Sequence, residues 1–250
     1  MSSNPSEDES RERTAAQFTT THWSVVLAAG DSGSPDSQEA LQRLCRTYWY
    51  PLYAFVRRKG HPPEEAKDLT QAFFERFLEK HYLKDVLAEK GRFRTFLLTT
   101  LKRFLCDQFD RSTAAKRGGG AHMIPLDALQ AEALFTQEPA SGQGPESAFD
   151  RAWAETVVQG SVAKLRAEYE GDDHRALFEE IKRYLSQPAD RAAYSSSAQR
   201  LDLSADAVAM AVVRLRRRYR ALVRAEVANT VATPAEIDEE MHYLVELLTG

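Results

Sequence analysis

Residues 93–108 read FRTFLLTTLKRFLCDQ, and their period decides the fold class. Phe93, Phe96, Leu97, Thr100, Leu101, Phe104, Leu105 and Gln108 recur at i, i+3 and i+4, the spacing that gathers side chains on one face of a helix. Lys102, Arg103 and Arg111 fall on the other side, so the stretch predicts a helix with an apolar seam and a basic back.

Working outward toward the N-terminus, Leu41, Leu44, Cys45, Tyr48, Leu52, Phe55 and Val56 keep one apolar face through several turns, with a kink expected at Pro51. A second helix is predicted from Pro62 and Pro63 to about Lys80. Proline suits a first turn, and Glu64 and Glu65 oppose the positive end of the helix dipole. Leu69, Phe73 and Phe77 form its apolar line, while Asp68, Gln71, Glu75 and Glu79 face something polar. Residues 82–91 read as a loop.

Beyond Arg111 the period lapses and Gly118, Gly119, Gly120, Pro125, Pro139, Gly142, Gly144 and Pro145 mark a linker. Helical spacing resumes with Trp153, Val157, Val158, Val162 and Leu165, then with Leu177, Phe178, Ile181, Tyr184 and Leu185 before Pro188. A helix from Tyr194 to Leu201, a polar turn at residues 202–204 and a long helix with Val208, Ala211, Val212, Leu215, Tyr219 and Leu222 inward outline a helix-turn-helix. Ser204 stands as its N-cap. Thr233, Pro234 and Glu236 spell a capping box that opens a last helix through Ile237, Met241, Leu244 and Leu248.

The expected architecture is therefore all-α, with two helical domains joined by a flexible linker and a helix-turn-helix in the second. The boundaries are an N-terminal extension over 1–36, a first domain over 37–112, a linker over 113–148, a second domain over 149–226 and a C-terminal helical extension over 227–250.

Composition supports a folded chain: 43% of the 250 residues are hydrophobic and 10% aromatic, too many for disorder. Cys45 and Cys106 are the two cysteines, too few and too isolated for a disulfide framework or a zinc site. No apolar run approaches the roughly 18 residues of a membrane span, and the acidic, Ser-rich start does not resemble a signal peptide. A cytoplasmic protein without membrane association is expected. Signatures of catalysis are missing as well: there is no phosphate-binding glycine loop, no HExxH and no nucleophile elbow, and the histidines are scattered. No catalytic residue, cofactor or metal is expected.

The formal net charge is -4, but its distribution is uneven. Arg92, Arg94, Lys102, Arg103, Arg111, Lys116 and Arg117 form one basic cluster. Arg214, Arg216, Arg217, Arg218, Arg220 and Arg224 form another, with no acid among them. Arginine offers a planar fork of donors to phosphate oxygens, so the second cluster suits a nucleic-acid backbone. In a helix-turn-helix the N-terminal residues of the second helix meet base edges. Here those are Ala205, Asp206, Ala209 and Met210, poor hydrogen-bonding readers that leave specificity to thymine methyl groups or to DNA shape. Basic residues beside Tyr82, Phe93 and Phe104 can also hold unpaired bases, although the period places Phe93 and Phe104 in the core seam.

These residues carry a resemblance. Leu44 to Arg111 is similar to region two of the extracytoplasmic-function (ECF) sigma factors, subunits that direct bacterial RNA polymerase to promoters. The run Glu65, Ala66, Lys67, Asp68, Leu69, Thr70, Gln71, Ala72, Phe73, Phe74 resembles the family's acidic-Leu-x-Gln-x-x-Phe helix, which docks on the polymerase. Phe96 to Asp107 resembles the helix that meets the minus-ten promoter element, and Tyr194 to Arg224 the helix-turn-helix that meets the minus-thirty-five element. The resemblance implies polymerase contacts at Glu65, Asp68, Leu69, Gln71, Phe74 and Glu75, and minus-ten contacts at Tyr82, Lys102, Arg103, Asp107 and Arg111. It implies minus-thirty-five contacts at Ser204, Ala205, Asp206, Ala209, Met210, Arg214, Arg216, Arg217 and Arg218.

The chain departs from the family where Arg103 replaces a frequent Asn and where Ser195, Ser196 and Ser197 replace an acidic and apolar helix start. The implied partners are core RNA polymerase, promoter DNA and a regulator such as an anti-sigma factor or a kinase. The alternative is a sigma-like adaptor that binds polymerase or another protein without reading promoters.

Overall fold

The computed structural model of the chain describes residues 35–78, 92–112, 128–137, 144–188, 190–231 and 233–249. Among them there is no strand, and the protein is all-α. The helices are α1 (Pro35–Arg58), α2 (Pro63–Leu78), α3 (Phe93–Ser112), α4 (Ala128–Gln137), α5 (Pro145–Ala167), α6 (Asp172–Ile181), α7 (Arg191–Leu201), α8 (Ala205–Ala228) and α9 (Pro234–Thr249), with a short 3-10 turn at Lys182–Leu185. No helix among the described residues is long and apolar enough to cross a membrane. The chain groups into two compact units, Met1–Thr156 with Val227–Gly250, and Val157–Glu226.

In the first unit α1 packs on α2, α3 and α4, and it continues through Pro51 to Arg58. Its stripe is buried as the spacing predicts: Leu44, Cys45, Tyr48, Leu52, Phe55 and Val56 are all in the core. Aromatic rings join the helices edge to face, Tyr48 to Phe93 at 5.1 Å and Phe73 to Phe104 at 5.7 Å between centroids. Each such buried ring contributes roughly 1.5–3 kcal/mol through lost apolar surface. Burial also pushes the Cys45 thiol far up from its ordinary range, which removes the thiolate and leaves it inert.

The sequence reads 113–148 as a linker, and within it the structure forms α4 and the first turn of α5. Ten residues are too few to hold a helix alone, and α4 is held from outside. Arg57 donates from Nε and Nη2 to Glu132 at 3.0 and 2.8 Å, and Tyr53 donates its hydroxyl to the same carboxylate. The guanidinium groups of Arg57 and Arg58 lie 4.6 and 4.9 Å from the Phe135 ring centroid.

Residues 227–250, read as an extension, hold helix α9, which groups with the first unit. At the capping box Glu236 accepts from the Thr233 backbone N–H at 2.8 Å. One turn on, Glu240 is 1% exposed and accepts from Arg94 Nε and Nη2 at 2.8 and 3.1 Å, and its Oε1 lies 3.0 Å from Arg92 Nε. Arg94 also donates to Asp150 at 2.6 Å, and its guanidinium lies 4.3 Å from the Tyr243 ring and 5.2 Å from that of Trp153. Tyr243 closes the knot by donating to Asp150 at 2.8 Å; burial first, and that bond second, push its hydroxyl up to about 12. Burial alone would favour neutral Arg94, but Glu240 and Asp150 outweigh it and hold the guanidinium more firmly protonated than usual.

The second unit has its own core of Leu165, Phe178, Ile181, Tyr184, Ala198, Val208, Ala211, Val212 and Leu215. A polar network ties α6 to α7. Ser197 is buried and shares a 2.7 Å hydrogen bond with the Tyr184 hydroxyl, while Glu180 accepts from Ser197 at 2.8 Å and from Arg200 at 2.5 and 3.0 Å. Arg200 first, then Ser197, holds the Glu180 carboxyl below the usual range. A depressed carboxylate stabilises the fold above its unfolded pKa of about 4.3, and that stabilisation is lost as pH falls through the folded value. Thermal melting followed by circular dichroism should therefore fall below about pH 4.5 less steeply in Glu180→Gln than in the wild type. Parallel profiles would remove Glu180 from the acid response.

Candidate nucleic-acid interface

The helix pair α7 and α8 meets at a turn that only a few residues tolerate. Asp202 takes the left-handed conformation at φ 53°, and its N–H closes on the Ala198 carbonyl. Aspartate adopts this region more readily than most side chains. Leu203 also donates to Ala198 O, at 3.0 Å, and the Ser204 hydroxyl accepts from Ala207 N at 3.1 Å, so the N-cap expected from the sequence forms. At the other end of α7 an unforeseen cap, Asp190, accepts from Ala193 N at 2.8 Å.

Helical geometry then sorts the arginines of α8. At 3.6 residues per turn, Met210, Val213, Arg214, Arg217, Arg220 and Arg224 lie along one line opposite the buried Val208, Ala211, Val212 and Leu215. All six are exposed, and Arg214, Arg217 and Arg220 make no ion pair among the described residues.

Arg216 and Arg218 flank the line and are engaged within the unit. Arg216 is half-buried and donates to the carbonyls of Tyr184 at 2.8 Å and Gln187 at 3.0 Å. The end of the 3-10 turn leaves carbonyls without helical partners, and a guanidinium satisfies two at once. Arg218 grips Glu168 from two nitrogens at 2.6 and 2.8 Å, which holds that carboxyl below its ordinary range. Arg216, expected at the DNA, braces the unit in this way. Arg216→Ala should lower stability by about 1.5 kcal/mol in urea unfolding, whereas Arg214→Ala should stay within about 0.5 kcal/mol. Equal values would deny Arg216 its bracing role.

Of the predicted base-contacting residues, Asp206 and Met210 are exposed while Ala205 and Ala209 are partly covered. Ser204 is exposed and used as the cap. Val213, which the sequence reading does not single out, is 59% exposed. Its position three residues after Met210 and off the Val212–Leu215 face was the available signal.

The predicted minus-ten set is less free. Lys102 pairs with Glu146 at 2.8 Å and Asp107 with Arg76 at 3.4 Å, while Arg103 is exposed without an ion pair among the described residues. Tyr82 and the side chain of Arg111 lie outside the described residues, as do Lys116 and Arg117. Arg92 and Arg94 belong to the Glu240 knot, so with Lys102 three members of the first basic cluster are paired with acids of their own unit.

On α2, Glu65 and Asp68 are exposed, Leu69, Gln71 and Glu75 half-buried. Gln71 donates to Glu75 at 3.2 Å, and the Glu65 carboxylate lies 3.2 Å from His61 Nδ1. Glu64, Asp68, Gln71 and Glu75 share one face by their i, i+4, i+7, i+11 spacing. Phe74 is 1% exposed and packs against Phe73 at 5.4 Å, because the face of α2 turned to α1 and α3 is wider than the line of Leu69, Phe73 and Phe77. It supports the acidic face from within. No family model matches this chain, and no curated protein or solved structure shows significant similarity to it.

Proposed function

We propose that the protein is a sigma factor of the extracytoplasmic-function type, which binds core RNA polymerase and directs it to promoter DNA. The observation that carries the reading is the exposed line of Arg214, Arg217 and Arg220 on α8, following a capped turn of helix-turn-helix form. Such a line suits a helix lying in the major groove, with forked donors reaching the phosphates along its rim. The acidic face of α2, with Asp68, Gln71 and Glu75, is the surface offered to the polymerase. In this reading the chain performs no chemistry of its own; it positions the polymerase.

The second reading, a sigma-like adaptor that binds polymerase without reading promoters, is favoured by the pairing of Arg92, Arg94 and Lys102 with acids of the first unit. That pairing weakens one of the two DNA surfaces a sigma factor needs. Reconstitution of bacterial core polymerase with the full chain separates the two. Transcripts starting at defined sites on genomic DNA are expected. Core binding without any such transcript sinks the sigma reading in favour of the adaptor.

A further inference from the structure

The outward line of α8 changes character along its length. Met210 is 55% exposed and Val213 59%, and immediately after them the line becomes Arg214, Arg217 and Arg220. Two large apolar side chains are thus left in water, bordered within one turn by cations. An apolar surface alone would leave these cations without counter-charge, since Arg214, Arg217 and Arg220 make no ion pair among the described residues. A surface that offers small apolar groups within a polyanion fits better. Duplex DNA containing thymine is such a surface: the C5-methyl group of each thymine projects into a major groove about 12 Å wide that admits a helix.

The spacing agrees. Met210 and Val213 are separated along the axis by about 4.5 Å, three residues at 1.5 Å each, against roughly 3.4 Å between neighbouring base pairs. The residues expected from the sequence to approach the bases are worse placed: Ala205 and Ala209 are partly covered, and the Asp206 carboxylate can only accept hydrogen bonds. We propose that Met210 and Val213 read the C5-methyl groups of two adjacent T·A pairs, while Arg214 and Arg217 hold the phosphates beside them. The inference rests on the DNA-binding reading above and assigns the base class it recognises.

The test begins with the full chain and a pool of random duplexes. Selected sequences should share two neighbouring thymines. Replacing either one by deoxyuridine, which lacks only the methyl group, should weaken binding about four-fold, the value of one buried methyl-sized group. Met210→Ala should abolish the sensitivity at one of the two positions and Val213→Ala at its neighbour, each leaving the salt dependence unchanged. Both residues are exposed, so the variants should fold, and circular dichroism checks that they do. If salt-dependent binding persists but deoxyuridine is tolerated everywhere, the methyl assignment is overturned and the proposed function stands. A folded chain that selects no duplex overturns both. Variants that lose polymerase binding while keeping the deoxyuridine response also overturn the assignment, because a protein then occupies the apolar pair.

Discussion

Replacing Glu240 with alanine should lower the stability of the chain by about 3 kcal/mol, because it strips a buried guanidinium of its main partner. Arg94 is only 11% exposed at its side chain, and without Glu240 it keeps Asp150 alone, while Arg92 keeps Glu239. Water cannot enter freely to replace the lost carboxylate, so most of the desolvation cost of the charge goes uncompensated. Glu240→Gln retains an acceptor but not the charge and should cost about half as much. The paired change Arg94→Met with Glu240→Leu removes both charges together and should come close to wild-type stability. Urea unfolding read by circular dichroism measures all three. An unchanged midpoint for Glu240→Ala would mean that α9 is not anchored by this knot.

Changing Arg214, Arg217 and Arg220 together to alanine should have the largest effect on binding. Each phosphate contact releases about 0.9 counterions, so three lost contacts should reduce the slope of log affinity against log salt by about 2.7. Carried from 1 M to 0.1 M salt, that slope amounts to roughly 500-fold, and a loss on the order of 100-fold at 0.1 M is expected. These residues are exposed and make no ion pair among the described residues, so the chain should stay folded and, under the proposed function, bind polymerase as before. The contrast with Arg216 is the control: its loss should act on stability. A slope that does not change in the triple variant would place the DNA contact, if any, elsewhere on the chain.

Much of the fold was legible because it is local. The 3.6-residue period of residues 93–108 fixed the seam of α3, and Phe93, Leu97, Leu101 and Phe104 are all buried as it required. The Ser204 cap and the turn before α8 were legible for the same reason, since both depend on residues within a few positions of one another. What was not legible depended on partners distant in sequence. Helix α4 has too short a period to declare itself and is held by Arg57, 75 positions away from Glu132. Phe74 and Arg216 carried the right chemistry for a partner, yet the packing directs both inward.

The sequence by itself determined the helical class, the apolar faces and the gathering of positive charge on α8, because periodicity and capping act over one or two turns. Only the tertiary structure decided which charges remain available. Arg92 and Arg94 are met by Glu239 and Glu240, nearly 150 positions on, and Arg218 by Glu168, whereas Arg214, Arg217 and Arg220 are exposed and make no ion pair among the described residues. The reason is physical: helical spacing sets the direction in which a side chain leaves its own helix, but the carboxylate that neutralises it arrives on another element.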